Sequence, residues 1–578
     1  MKSTNGDLRK RRYRVFPILL VICVMPFVTY LHVYEYDSNS YGIYTVGRTY
    51  TDFFSYAKGI FLYTLGVYMA YRLIWEWLQG RLTRLPGSIW IPTVLYAALL
   101  ALSTVFAKNP KLALWGGYQR FEGAGVKLCY LILMLYTYEM VRDEESRLLL
   151  IRAYLATAAL QCIVGALQFW GHDPIFWEWT KRLIMPKEYR GSELVNIMPD
   201  QRIYLTLANP NYASIYFALA VIVGLWYVCS GFSGRIRKCL ILLLVGFCFA
   251  EMLLTGSRIG LLMLAVAGLY VLVHWRKQLR KHWKLFAGGV FAVCVLYLAG
   301  ESITDFALSN RLYETIRAFS QERKNCSITE LRTEEDAVYF ATDQISAHVY
   351  FDRAVDPAKI RLVEETGDDI SGKLDVTSGR IDVLGYENIC IEPVEVDEEI
   401  MLHLMVDQTE FYFAYDGEDG YLIYAGNGLY EKVTGVEAIS FHGKEHLASG
   451  RFYIWSRTIP LLKRYFLFGC GADHFYLVFP QNDYLGKAWY CKTPYTIVEK
   501  PHNTFLLIAV EQGIPALAVF CWLFGLGMYR AHKGKGRFKT LIIAIGAAYV
   551  CAMLFNDSSV VMMPGMWCCI GVNEIKWD

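Results

Sequence analysis

The chain has 578 residues, of which 55% are hydrophobic and only 19% are charged. A soluble domain usually has about 25% charged residues, so this composition argues against a large water-soluble enzyme and also excludes a disordered chain or a small disulfide scaffold. The net charge of +3 conceals a division: residues 322–445 contain 28 acidic and 10 basic residues, a net charge of −18, and the remainder has a net charge of +21. We therefore predict an acidic soluble region set into a basic membrane protein.

Apolar stretches of roughly 20 residues are long enough to cross a bilayer as helices. The candidate stretches are 13–33, 54–78, 88–107, 125–141, 148–170, 212–230, 239–256, 259–274, 285–300, 504–529, 540–557 and 559–573. They predict a polytopic α-helical membrane protein with about 12 transmembrane helices.

Basic residues in alternate loops give the orientation of these spans. Lys10, Arg11, Arg12 and Arg14 precede the first span and place the N-terminus in the cytoplasm. Every second loop after it is again basic, so both termini are predicted to be cytoplasmic and the protein to be multi-pass. No small-residue cleavage site follows the first span, which we interpret as a retained anchor rather than a signal peptide.

Short stretches of alternating apolar and polar residues follow one another between residues 338 and 441. The predicted strands are 337–341, 346–351, 401–406 and 410–415, and the dipeptides Asp416-Gly417 and Asp419-Gly420 are turn signals. This alternation is typical of an all-β sandwich. It fits a lectin-like, carbohydrate-binding domain and equally a purely structural one.

Arginines in two short segments of the predicted outer face are candidates for anion binding. The loop 108–127 holds Arg120 between glycines and aromatic residues, which suits close approach of an anion. Arg258 lies between two apolar helices, where an arginine is costly unless it is paired or faces a polar cavity. A snorkelling arginine at a helix end would also explain Arg258.

A second outer loop, 171–211, contains Arg202 and ends in Asn209-Pro210-Asn211. The simplest interpretation is a turn and an N-cap that start the sixth span. A helix N-terminus is also an anion site, so a functional role with Arg202 stays open.

After the β region, the long outer loop brings a third group of polar residues. Arg451 and Trp455 are one helical turn apart and share a face. Arg457, Asp473 and His502 follow, and His502 lies where the tenth span begins. A histidine there exchanges protons near neutral pH, although an interfacial helix cap is the alternative.

Several arginines and one histidine, with few carboxylates in the membrane host, point to a reaction class. Arginine suits bidentate binding of phosphate oxygens, and histidine suits removal of a hydroxyl proton. Paired acids for glycoside hydrolysis are not evident. The combination predicts group transfer from a phosphate-activated donor to an acceptor hydroxyl, and the membrane setting indicates a lipid donor.

The chain resembles the O-antigen ligase / O-antigen polymerase superfamily of bacterial surface-polysaccharide enzymes. The segments that carry the resemblance are Gly117–Gly123, Thr206–Asn211, Gly256–Gly260, Arg451-x-x-x-Trp455, Gly469-x-Gly471, and His502 with Gly513. They cover roughly residues 40–320 and 448–573. The domains expected from this comparison are helices 1–9 in 1–320, an extracytoplasmic insertion in 321–447, the rest of the large loop in 448–503, and helices 10–12 in 504–578.

The resemblance implies a GT-C-like glycosyltransferase of the bacterial cytoplasmic (inner) membrane with an extracytoplasmic active site. It implies an undecaprenyl-diphosphate-linked glycan as donor, a glycan, lipid or cell-wall acceptor, no metal or other cofactor, and no nucleic acid. Arg258 and Arg451 would hold the diphosphate leaving group, and His502 would deprotonate or orient the acceptor hydroxyl. The substrate-binding candidates are Arg120, Arg202, Asn209, Asn211, Arg457 and Asp473.

The motifs leave two alternatives open, one for the second arginine and one for the reaction. Arg457, with Leu461 four residues on, also fits the family's Arg-x-x-x-Leu pattern, so the second arginine is Arg451 or Arg457; we favour Arg451 for its neighbours Gly450 and Trp455. The motifs do not separate a ligase from a repeat-unit polymerase. A further alternative is a non-enzymatic sensor or transporter with an outer sugar-binding domain, but the inverted repeats of a transporter are not apparent.

Overall fold

Apolar helices occupy both ends of the chain, and β-sheets lie between them. The structure is a computed structural model. It describes residues 13–35, 49–82, 86–117, 120–195, 202–232, 234–274, 324–371, 374–377, 380–383, 385–386, 388–426, 428–491, 493–534 and 536–572, with isolated positions between 276 and 313. The predicted span 285–300 falls almost wholly outside these residues.

The remaining predicted spans correspond to helices. The helices before the β region, including short ones between the spans, are α1 (Tyr13–Phe27), α2 (Ser55–Leu78), α3 (Gly87–Val105), α4 (Pro110–Trp115), α5 (Ala124–Met140), α6 (Glu144–Phe169), α7 (Glu178–Ile184), α8 (Pro210–Cys229), α9 (Arg235–Leu254) and α10 (Ile259–His274). After it come α11 (Leu447–Arg464), α12 (Phe475–Val478), α13 (Tyr484–Tyr490), α14 (Thr504–Gln512), α15 (Ile514–Lys533), α16 (Lys539–Phe555) and α17 (Met563–Gly571). A two-stranded antiparallel sheet, β1 (His32–Glu35) with β2 (Thr49–Asp52), connects α1 to α2.

Within the described residues, four of these helices are both long and apolar enough to cross a membrane: α3, α6, α8 and α15. Three shorter helices, Tyr13–Phe27, Ile259–Val273 and Lys539–Phe555, are also apolar. The structure thus confirms a helical protein with apolar spans and a separate β-sheet region. The count of about 12 spans and the GT-C-like arrangement stay predictions.

The prediction of one continuous helix over 504–529 is wrong, because the chain breaks at Gly513 between α14 and α15. Gly513 has a φ of +90°, a conformation that favours glycine. A Cβ atom there would lie 2.3 Å from the carbonyl oxygen of Leu467. The Ile514 amide donates to the Phe466 carbonyl oxygen at 2.8 Å. The break therefore lets the turn after α11 pack against the end of α14.

The β region consists of two antiparallel meanders. The first has four strands in the order β3 (Glu330–Thr333), β4 (Val338–Ala341), β5 (Ser346–Tyr350) and β6 (Arg361–Glu364). The second has seven neighbouring strands, β7 (Leu374–Thr377), β8 (Arg380–Val383), β9 (Ile389–Val396), β10 (Glu399–Val406), β11 (Thr409–Asp416), β12 (Gly420–Gly426) and β13 (Leu429–Glu431). Alternate apolar side chains from both sheets, such as Phe340 and Phe413, share one buried core.

This core also contains residues from the outer loop beyond the β region. Tyr484 and Ala488 of α13 are buried among the strand side chains. The indole Nε1 of Trp489 donates to the Ile328 carbonyl oxygen at 2.6 Å. The Tyr484 hydroxyl donates to Glu431 Oε2 at 2.7 Å. The β region is therefore packed onto the loop that leads to α14.

Candidate active site

His502 and Asp557 pair across two distant segments of the chain. His502 Nδ1 lies 3.0 Å from Asp557 Oδ2. The Asp557 side chain is 2% exposed and the His502 side chain 36% exposed. Because an ionised carboxylate only accepts hydrogen bonds, Nδ1 carries the proton and Nε2 keeps its lone pair. The accessible nitrogen of the ring is therefore the one that can accept a proton.

Neighbouring charges keep Asp557 ionised. Burial raises the pKa of this carboxyl. His502, Lys500 and Arg120 together outweigh that effect and lower the pKa below its ordinary value, to about 2. A carboxylate with this pKa is negative at any physiological pH. It therefore holds the imidazole in one tautomer and stabilises its protonated form.

Hydrogen bonds around the pair fix both segments. The Asn503 side chain caps α14 by accepting hydrogen bonds from the amides of Phe505 and Leu506. Thr504 Oγ1 donates to the Asn556 carbonyl oxygen at 2.8 Å, which joins the start of α14 to the end of α16. His502 has a φ of +51°, an uncommon value for a residue other than glycine that is found at functional sites.

Arg451 lies near this pair, and Arg258 lies near Arg451. Ala448, Ser449 and Gly450 have left-handed backbone angles, so the continuous part of α11 begins at Arg451. Burial lowers the pKa of Arg451, Asp557 raises it, and Arg258 lowers it.

Arg451 therefore feels the charges of both Asp557 and Arg258. Burial likewise lowers the pKa of Arg258. Among the residues that the structure describes, neither arginine has a carboxylate within ion-pairing distance.

The start of α8 supports the chain break that carries Arg258. Asn209 caps α8 and accepts from the Asn211 amide at 2.8 Å. Asn211 Oδ1 accepts from Ser257 Oγ at 2.6 Å. The Gly260 amide donates to Ser214 Oγ at 3.2 Å. Asn211 thus positions the Arg258 segment, and Asn209 caps α8. Contact of either asparagine with substrate stays a prediction.

Arg120 lies in a buried ionic network of carboxylates and one lysine. Its side chain is 9% exposed and pairs with Glu122 at 3.2 Å, Asp473 at 3.3 Å and Glu511 at 3.6 Å. Lys127 pairs with Glu511 at 2.8 Å. Burial raises the pKa of Glu122 against the opposing charges of Lys127 and Arg120. Three carboxylates therefore surround Arg120 and Lys127, so both cations have their counter-charges within this network.

Asp473 holds the loop that contains Arg120. Its Oδ2 accepts from the Gly117 amide at 3.1 Å and from the Glu122 amide at 2.8 Å. The preceding turn packs on α14, because a Cβ atom on Gly469 would lie 2.2 Å from the carbonyl carbon of Glu511. The contacts observed for Arg120 and Asp473 are structural, and their contact with substrate stays a prediction.

Arg457 points to a different partner. Its Nε donates to Asp483 Oδ2 at 2.8 Å, and the Tyr453 hydroxyl donates to the same carboxylate at 3.0 Å. Arg202 is half-buried at the start of the segment that leads to α8. The structure thus places Arg451 near both Asp557 and Arg258, and it pairs Arg457 with Asp483.

Sequence reasoning missed Asp557 and Lys500. Asp557 was assigned to the end of an apolar span, where a carboxylate followed by two serines is itself a signal of a functional position. Lys500 precedes His502 by two residues and its charge acts on Asp557. In the described part of the chain, no group of three His, Cys, Asp or Glu side chains could hold a metal ion.

An apolar cavity of about 210 Å³ lies inside the helix bundle. Its lining comes mainly from α1, α6, α8, α16 and α17. It extends from Tyr212, in the first turn of α8, to Phe538, which precedes α16. Tyr212 also lies beside Ser559 and Lys500, so one end of the cavity adjoins the His502–Asp557 pair.

The fold and the site define a helical protein with apolar spans that holds a His–Asp pair with Arg451 near it. A family model described as O-Antigen ligase matches residues 420–521, a segment that includes Arg451, Gly469 and His502. The match confirms the resemblance to this family over residues 420–521. No curated protein and no solved structure matches the chain.

Proposed function

We propose that this protein is a membrane glycosyltransferase of the ligase type, which transfers a glycan from an undecaprenyl-diphosphate carrier to an acceptor hydroxyl. The observation that carries the proposal is the His502–Asp557 pair beside Arg451 and Arg258. A base and an anion site are the two elements that this transfer requires. The family match to residues 420–521 supports a surface-polysaccharide substrate.

In the proposed mechanism, His502 Nε2 accepts the proton of the acceptor hydroxyl as its oxygen attacks the anomeric carbon of the donor sugar. The bond from that carbon to the diphosphate oxygen breaks, and the diphosphate leaves on its lipid with the electron pair. Arg451 and Arg258 stabilise the charge that develops on this leaving group. Asp557 stabilises the imidazolium that results.

The apolar cavity supports a lipid-linked donor. Its lining is mainly apolar, with Lys58 and Arg147 as its two charged residues, and is suited to part of an isoprenoid chain. One end adjoins the candidate site through Tyr212. A chain in this cavity would present its diphosphate at the Tyr212 end, on the side of Lys500 and Asp557.

A transfer assay with purified protein tests the proposal. The reaction contains a lipid-diphosphate glycan and, in separate tubes, a non-lipid glycan acceptor or a second lipid-diphosphate glycan. We expect transfer by the wild type to the first acceptor and at most background with His502→Ala. His172→Ala, a change in an exposed histidine of the loop after α6, is the matched control and should keep full activity.

Extension only of the lipid-linked acceptor would identify a polymerase instead. Equal transfer by His502→Ala and the wild type would contradict the catalytic assignment. Binding of the glycan without transfer to either acceptor would favour a sensor or transporter.

A further inference from the structure

Three aromatic rings form a continuous surface at the start of α11. The ring centroids of Phe452 and Trp455 are 5.0 Å apart and nearly stacked at 26°. Phe441, from the segment between β13 and α11, lies 5.3 Å from Phe452. All three rings are half-buried. In the part of the chain that the structure describes, none of the three belongs to a hydrophobic core, although Trp455 lies against Phe555 at the edge of the largest one.

Hydrogen bonds hold this aromatic surface in place. The indole Nε1 of Trp455 donates to the Pro501 carbonyl oxygen at 2.7 Å. The Phe441 amide donates to Glu445 Oε1 at 2.7 Å, and the Tyr453 amide donates to the Glu445 carbonyl oxygen at 2.9 Å. The rings are thus fixed before any ligand arrives, which lowers the entropic cost of binding.

The surface lies next to the residues of the candidate active site. Trp455 is one helical turn from Arg451. Its hydrogen-bond partner, Pro501, directly precedes His502. The Trp455 ring also contacts Phe555, two residues before Asp557, with centroids 6.4 Å apart. A molecule bound by the arginines would therefore have the aromatic surface beside it.

We propose that Phe441, Phe452 and Trp455 bind a pyranose ring of the transferred glycan or its acceptor by stacking. One face of a pyranose presents C–H groups, which carry a slight positive charge and match the electron-rich face of an aromatic ring. Such contacts orient the sugar without charge pairing. This inference rests on the proposed function, because it assigns the saccharide part of the same substrates to this surface.

Kinetics of Phe452→Leu test the inference. This change removes one ring but retains an apolar side chain and the Trp455–Pro501 hydrogen bond. We expect the KM for the glycan substrate that stacks here to rise about tenfold with kcat within about twofold, since a lost aromatic contact acts on binding. The matched control is Phe468→Leu, because Phe468 stacks on Phe106 at 5.0 Å and 22° outside this surface. It should leave both constants unchanged.

A binding measurement separates this inference from the proposed function. The probe is the free oligosaccharide released by mild acid from the host's lipid-linked glycan, observed by saturation-transfer NMR with the purified protein. We expect contact with the wild type and with Phe468→Leu, and a weaker signal with Phe452→Leu. An active wild type with unchanged KM in Phe452→Leu would overturn the stacking surface alone. If the wild type does not transfer glycan, the absence of an NMR difference between the two variants would overturn it independently.

Discussion

Two groups of cations near the candidate site differ in how their charge is compensated. Arg120 and Lys127 lie within a buried network and contact Glu122, Asp473 and Glu511. Arg451 lies near Asp557 and Arg258, and among the described residues no carboxylate lies within ion-pairing distance of either arginine. Both groups stem from sequence segments that resemble the same family, yet their surroundings give them different roles.

The difference indicates where an external anion can bind. A cation already surrounded by carboxylates gains little from a phosphate, because the phosphate would be repelled by the same carboxylates. Two uncompensated arginines close together repel each other, and burial lowers the pKa of both. An anion between them would relieve that repulsion, so we assign the diphosphate to Arg451 and Arg258 and a structural role to Arg120.

The largest expected effect is on stability, from replacement of Arg120. Arg120→Met leaves the buried Asp473 and Glu122 without their paired cation, whereas Lys127 still pairs with Glu511, so we expect the free energy of unfolding to fall by about 3–5 kcal/mol. Thermal unfolding of the purified protein in detergent measures this. Arg451→Met is the matched substitution and should change stability by less than about 1 kcal/mol. Equal losses in both variants would remove the distinction between the two groups.

Replacement of Arg451 should affect catalysis instead. We expect Arg451→Ala or Arg258→Ala to lower kcat by about 10²–10³-fold, because each removes a preorganised positive charge from the leaving group. Steady-state transfer kinetics measure this. Arg457→Ala is the control, since Arg457 pairs with Asp483 at 2.8 Å, and its kcat should stay within about tenfold of the wild type. A larger loss for Arg457 than for Arg451 would reverse our choice between them.

Asp557→Asn should lower kcat by about 10²-fold, because an amide no longer fixes the tautomer of His502 or stabilises its protonated form. The pH–rate profile adds a second readout. With a pKa of about 2, Asp557 stays ionised above about pH 4, so the carboxyl contributes no step to the wild-type profile there. A profile and rate unchanged in Asp557→Asn would show that the pair has no role in transfer.

The fold was largely predictable from local patterns. Apolar runs located most helices to within a few residues, and alternation located four strands of the β region, because both signals are periodic and need no distant partner. The break at Gly513 was not predictable, since it depends on the approach of Leu467 from another segment. The shared core of the β region and Tyr484 is equally a long-range contact.

The candidate site was predictable only in part. His502, Arg451 and Arg258 could be recognised from motifs and from their position at the predicted outer face. Asp557 was not, because its partner lies 55 positions away in sequence. Arg120 was predicted to bind substrate, although its environment balances its charge. Residue type and spacing therefore identify where a charge lies, but the surrounding carboxylates decide what it binds.

A further buried cation, Lys487, tests whether the surrounding carboxylates decide how a buried positive charge behaves. Lys487 of α13 is fully buried under the β region, and burial lowers its pKa to about 7 against the opposing charges of Asp483 and Glu431. This folded-state value lies below the ordinary pKa of about 10.4, so between about pH 7 and pH 10 the unfolded chain binds more protons at this residue. Its contribution to stability therefore rises with pH over that interval.

Lys487→Met removes the titrating group. We expect its Tm near pH 7 to exceed that of the wild type by a few degrees, and the difference to shrink as the pH approaches 10. Thermal unfolding of both proteins followed by near-ultraviolet circular dichroism measures this. A Tm difference independent of pH would mean that the carboxylates near Lys487 compensate its charge as fully as those around Arg120 do.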